Sequence, residues 1–467
     1  MNSLDFFKEI TKIPRPSGHE EKIREFLIGK AKEQGWSYKV DDAGNLLVSV
    51  PGKGAQAGKP LLMLQNHMDM VTAKEDGVTI DFMKEGLTIY EEDGFLKAKG
   101  TTLGADNGAG IALAFYCGML DNHPPLELLF TVDEEAGLNG ARALKPGFFT
   151  ADRAINLDSH EDGVFTVGCA GGGQVDYKIR ADEDKSFSKD FAVRFEVADL
   201  MGGHSGADIH EKRASAAVML ASQLKAWRDA GFDFRLCDIN VGLFHNAIAR
   251  SGYVVAAFKN QDDAKKASET VLDQIKDFPL EKHFKQKTAL VKADKVMTAE
   301  VTKQVIDLTT HLKHGVLNWS REFEGIVETS ANLAIIKLNG GYIEVCYSFR
   351  SFIDDEVVRI QKENADYGRK LGAEANPDQP YPGWAPAKEN PLADKLISIY
   401  EKFTGKKAHV APVHAGLECG YLKKVNPKLL AVSIGPVIFD LHAPSERLDI
   451  ASMPRTEALL KETLANI

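Results

Sequence analysis

The sequence predicts an α/β protein: a discontinuous domain with a mostly parallel sheet and flanking helices, interrupted by an inserted α+β domain. Three observations carry this. Near-continuous apolar runs, Pro60-Leu-Leu-Met-Leu64 and Leu126-Glu-Leu-Leu-Phe-Thr-Val132, read as strands buried on both faces, which is how parallel sheets are built. These strands alternate with helical patterns, as crossover connections require. The texture changes at the charged joint Asp182-Glu-Asp-Lys-Ser186 and again at the proline-rich stretch 376–386. The predicted divisions are residues 1–184, 185–384 and 385–467, the first and last forming one domain.

Each element has its own signal. Ser17-Gly-His-Glu20 reads as a capping box ahead of a helix with Ile23, Phe26, Leu27 and Ala31 on one face, ended by Gly35. Strands are expected over 45–50, 60–64, 126–132 and 154–157, and a helix over 111–120. In the inserted domain, strands are expected over 191–197, 253–258, 324–329, 333–338 and 343–349, with helices over 213–230 and 262–278. From Leu392 the helix-strand rhythm resumes.

A chain of 467 residues with 44% hydrophobic and 27% charged residues fits a globular protein of more than one domain. Its net charge of -10 argues against a nucleic-acid partner, which needs a basic face. No run approaches the ~20 apolar residues of a membrane span, and the first ten residues lack a secretory pattern. The five cysteines, Cys117, Cys169, Cys237, Cys346 and Cys419, are scattered, as expected of free thiols in the cytoplasm. Any metal should therefore sit on His and carboxylates.

Five motifs offer such ligands, most of them beside a predicted strand or helix end. His67-Met-Asp69 follows a core strand, where α/β proteins place ligands. Side chains repeat every second residue on extended chain, so Asp69 can hold the His67 ring. Asp106 lies in Gly104-Ala-Asp-Asn-Gly108 at a helix start; it could bridge two cations or cap the helix. Thr131-Val-Asp-Glu-Glu135 closes a core strand with three carboxylates, costly unless their charge is offset. Glu134 and Glu135 should face opposite ways, one for metal and one for a proton. Asp158 ends a further strand, and His442 lies near the carboxyl end. Two imidazoles and three carboxylates are about what a two-metal centre needs.

The ordered set resembles the M20 metallopeptidases, in particular their aminoacyl-histidine dipeptidase branch. The supporting strings are Gln65-Asn-His-Met-Asp-Met-Val71, Leu103-Gly-Ala-Asp-Asn-Gly108, Thr131-Val-Asp-Glu-Glu-Ala-Gly-Leu138, Gly168-Cys-Ala-Gly-Gly172, Gly202-Gly-His-Ser-Gly206, His414-Ala-Gly-Leu-Glu-Cys-Gly420 and Ser433-Ile-Gly-Pro436. The resemblance makes the split domain catalytic and the inserted one a lid. It implies one zinc on His67, Asp106 and Asp158, and a second on Asp106, Glu135 and His442. Cobalt or manganese could substitute. Asp69 would orient His67, Glu134 would be the general base, and His204 would stabilise the oxyanion. Asn246, Arg350 and His414 are assigned to substrate binding, and a homodimer is implied.

Two departures stand out. Asp158-Ser-His160 replaces the Asp-Ser-Glu common in the family, so His160 is an extra ligand, a tuner of the ligands, or an exposed bystander. His442-Ala-Pro444 replaces His-Ser-Pro. The expected activity is hydrolysis of short unblocked dipeptides, Xaa-His among them. The alternatives are an N-acyl amino acid deacylase or tripeptidase on the same centre, or a non-catalytic metal-dependent binding protein.

Overall fold

The computed structural model describes residues 2–270, 273–387 and 389–467. The chain divides into two compact units. One comprises residues up to Cys169 with Trp384–Val413 and Leu417–Ile467; the other comprises Ala170–Gly383 with His414–Gly416.

The first unit is organised on an eight-stranded sheet. Its spatial order is Ser37–Val40, Leu46–Val50, Leu126–Thr131, Leu62–His67, Arg153–Asn156, Leu430–Ser433, Val164–Cys169 and His409–Val413. The four central strands, Leu126–Thr131 through Leu430–Ser433, are parallel, and antiparallel pairings flank them. Leu62–His67 and Leu126–Thr131 are buried at every position, as their near-continuous apolar runs predict, with Gln65, Asn66 and Glu127 buried among them. Each fully buried Leu, Met or Phe contributes roughly 1.5–3 kcal/mol. The helix Ala105–Met119 is buried along nearly its whole length. Phe115 on it packs between Phe6 and Phe130, with ring centroids 5.2 and 5.6 Å apart. A four-stranded antiparallel sheet joins Ile438–Phe439, Arg447–Asp449, Phe95–Ala98 and Ile89–Glu92, and the connection between its first two strands carries His442.

One expectation here is corrected. The helix Glu21–Glu33 is present, but its N-cap is Glu20, without a side-chain cap bond. The Ser17 hydroxyl donates instead to Asp69 at 2.8 Å. Ser17 lies four residues before the helix starts at Glu21 and caps no turn of it.

The second unit is built on a nine-stranded antiparallel sheet. The aromatic core of helix Ala216–Asp229 packs on it, with Trp227 edge-on to Phe258 at 5.3 Å. The strands expected over 324–329 and 333–338 are one strand, Val327–Asn339. The residues between the two expected stretches, Ser330, Ala331 and Asn332, pair in register with Arg350, Phe349 and Ser348. Ser330 and Asn332 are buried there with their side chains bonded to His414 and to the His245 and Ala247 carbonyls, so polar residues that read as a gap are accommodated inside the strand. The helix expected over 262–278 stops at Ser268, with a short 3-10 turn at Asp273–Asp277. Carbonyls of Ser268 and Thr270 are taken by Thr288 and Gln286 side chains rather than by a continuing helix. Val271 and Leu272 lie outside the described residues. Among the described residues, no helix is long and apolar enough to cross a membrane.

Candidate metal centre

Three adjacent parallel strands deliver the site. His67 is the last residue of Leu62–His67 and lies in register with Thr131. Glu134 and Glu135 follow Thr131, and Asp158 follows the neighbouring strand Arg153–Asn156. Parallel strands end on one edge, so three ligand-bearing loops open on the same side of the sheet. Asp106 comes from the first turn of the Ala105–Met119 helix, and His442 from the far end of the chain. His442 and Asp133 hold φ of 61° and 52°, a region that non-glycine residues seldom occupy.

Asp106 is the hub. Its Oδ1 lies 3.0 Å from His67 Nε2 and its Oδ2 lies 3.2 Å from His442 Nε2. His67 Nε2 also stands 3.5 Å from Asp158 Oδ1, and His442 Nε2 stands 3.0 Å from Glu135 Oε2. Among the described residues four groups could hold a cation: His67, Asp106 and Asp158; Asp106, Glu135 and His442; His67, Glu134 and Glu135; and Glu20, Asp69 and Asp133, the first two sharing Asp106. Donors bonded to one ion at ~2.0–2.1 Å in a tetrahedron are about 3.3 Å apart, and these spacings match. The capping alternative for Asp106 is not realised, because both its oxygens face imidazoles.

Around the hub, each charged group has a definable task. Asp69 Oδ1 lies 3.3 Å from His67 Nδ1. Its two oxygens accept N–H bonds from Glu134 and Glu135 at 3.0 and 3.1 Å. Burial alone would raise this carboxyl, yet His67, the Glu134 N–H and Ser17 bring it down to about 2. Glu134 Oε2 sits 3.9 Å from His67 Nε2. Burial, with the charges of Asp158, Glu135 and Glu418, pushes the Glu134 carboxyl well above its usual range despite His67.

Sequence reasoning missed three residues. Arg15 is buried, and its guanidinium donates to the carbonyls of Met68 and Asp69 at 2.9 and 2.7 Å and to that of Gly104. It therefore ties the His67 loop to the Asp106 loop. Glu446 accepts backbone N–H bonds from Leu103, Gly104 and Ala105 at 2.9, 3.1 and 2.8 Å, with Asp106 N at 3.4 Å. Four residues beyond His442, it caps the turn that holds Asp106. Glu418 takes 2.5 and 2.7 Å bonds from Gln65 and Thr131, and burial pushes it up to about 8. The only sequence signals were Arg15 between two prolines, and carboxylates near His414 and His442.

The charge balance and donor chemistry fit divalent cations. Asp69, Asp106, Glu135 and Glu446 act on the buried Arg15 guanidinium, and Asp158, Glu135 and Glu418 crowd Glu134. Such a concentration of carboxylates is costly unless cations offset it. Glu135 Oε1 and His160 Nε2 are buried with no hydrogen-bond partner. His160 is not an exposed bystander: its side chain is 21% exposed and its Nε2 faces Asp106.

In the second unit, the His414 carbonyl and the His204 and Arg350 side chains converge on Gly206, where a Cβ would strike the carbonyl and crowd His204 Cε1 and Arg350 Nε at 3.1 and 3.3 Å. His204 Nδ1 accepts N–H bonds from Gly206 and Ala207 at 3.3 and 3.1 Å, which puts the ring proton on Nε2. Arg350 donates to the Tyr381 hydroxyl at 2.7 Å. His414 Nε2 lies 2.7 Å from Ser330 Oγ. Asn246 joins through its backbone, its carbonyl accepting from Ser205 N at 2.8 Å.

The sequence model of the peptidase family M20/M25/M40 matches residues 63–466. A cytosol non-specific dipeptidase of Escherichia coli K12 is 34% identical over 99% of this chain and 97% of its own length. The crystal structure of an aminoacylhistidine dipeptidase from Vibrio alginolyticus superposes with a TM-score of 0.85 at 31% identity, covering 98% of this chain and 96% of that one. An aminopeptidase PepT from Bacillus cereus shares the fold, with a TM-score of 0.56 at 17% identity over 99% and 97% of the two chains. The chain belongs to the peptidase family M20/M25/M40, a class of enzymes acting on peptide bonds.

Proposed function

We propose that this chain is a di-zinc dipeptidase that cleaves unblocked dipeptides, Xaa-His among them. The observation that carries the reading is the division of the two Asp106 oxygens between His67 and His442, with Glu134 beside the first imidazole. Bound divalent ions supply a water of lowered pKa and an electrophilic pull on the scissile carbonyl.

The remaining work falls to the chain's own groups. Asp69 holds the His67 ring in orientation. Glu134 takes the proton of the attacking water and returns it to the leaving amine. His204, protonated on Nε2, donates to the developing oxyanion. Arg350, with Asn246 and His414, binds the substrate's free carboxylate, which selects short peptides. The reading places the enzyme in the cytoplasm, in keeping with five free, buried cysteines, and includes a homodimer, to be checked by light scattering.

The test is hydrolysis by zinc-loaded protein of Ala-His, β-Ala-His, Leu-Gly, Gly-Gly-His and an N-acetyl amino acid. Cleavage of the dipeptides supports the proposal. Cleavage of only the acetylated substrate reassigns the centre to a deacylase, and of only the tripeptide to a tripeptidase. Metal binding without any cleavage points to a binding protein.

A further inference from the structure

We infer that His160 is a fourth protein ligand of the first metal position, which then takes His67, Asp106, Asp158 and His160. This rests on the two-metal reading above. His160 Nε2 is buried without a hydrogen-bond partner. It stands 3.7 Å from Asp106 Oδ1 and 3.8 Å from Asp158 Oδ1. The same two oxygens face His67 Nε2 at 3.0 and 3.5 Å.

A buried polar atom left unpaired is unfavourable by ~1–3 kcal/mol. Here the carboxylate oxygens of Asp106 and Asp158 stand just beyond hydrogen-bond reach, at 3.7 and 3.8 Å. An ion placed among the four atoms satisfies all of them. Tetrahedral donors at ~2.0–2.1 Å from one ion lie about 3.3 Å apart, so the His160 ring has to move inward from 3.7 and 3.8 Å to join them.

The backbone holds the ring there. The His160 carbonyl accepts from Ile438 N at 3.2 Å, and Ser159 N reaches the Ile434 carbonyl at 3.4 Å. The hydroxyls of Ser159 and Ser433 meet at 2.9 Å. The loop is thus pinned to the strand Leu430–Ser433 and to the segment that follows it.

The consequence is an asymmetric centre. Four protein donors close the first position, as in structural zinc sites, whereas Asp106, Glu135 and His442 leave the second open, as catalytic sites require. Two imidazoles and two carboxylates at the first position also favour zinc or cobalt over manganese. The two positions should therefore fill with unequal affinity, the closed one first.

The test is titration of metal-free full-length protein with zinc against a chromophoric chelator, and with cobalt while the visible spectrum is recorded. Wild type should show two unequal sites. His160→Ala should weaken the tighter site by more than about 100-fold, beyond the ~10–100-fold typical of groups that merely orient a ligand. It should also change the cobalt spectrum of that site and leave the weaker site in place. His160→Gln gives the same comparison if the alanine variant does not fold, and His160→Glu should retain the site while shifting its preference towards manganese. Two sites of unaltered affinity and spectrum in His160→Ala or His160→Gln overturn the inference and leave the proposed function standing. Wild-type protein that binds no divalent ion overturns both.

Discussion

Asp106 Oδ2 lies 3.2 Å from Nε2 of His442, a residue 336 positions further along the chain, while Oδ1 of the same carboxylate faces His67. A carboxylate shared in this way fixes the separation of two cation positions. It is itself fixed by Glu446, which accepts the N–H groups leading into it. Folding of the first unit therefore assembles the centre from both ends of the sequence.

Replacing Asp69 with Asn keeps the size of the side chain but removes the charge facing His67 Nδ1 and leaves one good acceptor where two N–H groups and a hydroxyl now bond. Metal affinity should fall ~10–100-fold, as when an orienting partner is lost. Chelator competition measures this.

Glu446→Ala strands buried N–H donors around Gly104. Each such group costs ~1–3 kcal/mol, so the loss of stability in urea should reach about 2–4 kcal/mol. Glu446→Gln, which keeps one acceptor oxygen, should lose less. Both variants should bind metal more weakly than wild type.

Removal of divalent ions should lower the melting temperature, because the buried carboxylates are then uncompensated. Returning an ion to a hundredfold excess over its Kd should restore ~2.7 kcal/mol of apparent stability. Calorimetry with and without chelator checks the difference.

His414 should stay neutral through mildly acid solution. Burial pushes it down to about 3, with Arg350, His204 and His210 adding positive charge. Its unfolded value is ~6.5, so the unfolded chain takes up the proton first. The contribution to stability is therefore zero above that value and turns against folding as pH falls from about 6.5 towards 3. Ring NMR signals of His414 should not titrate between pH 7 and 5; a midpoint near 6.5 contradicts the buried, neutral assignment.

The parallel strands were legible because residues buried on both faces are mostly apolar, as Leu62, Met63 and Leu64 are. The candidate ligands His67 and Asp158 were legible because they stand where such strands end. Long-range hydrogen bonding was not. Arg15 reaching Gly104 and Glu446 reaching Leu103 span 89 and 343 positions, and neither leaves a periodic trace. Local rules also misled: Ser17 serves Asp69 and caps no turn of the helix that follows it. His160 could be placed only by its distances to Asp106 and Asp158.

The most direct test of the account compares Ala-His hydrolysis by wild type and Glu134→Gln at equal bound metal. Glu134→Gln keeps the size of the side chain and removes its capacity to take a proton, and comparison at equal bound metal separates that loss from any change in metal binding. The account predicts unchanged metal content with turnover lower by at least ~10²–10⁴-fold, the usual worth of a general base. Turnover within a few-fold of wild type at equal metal content would contradict it.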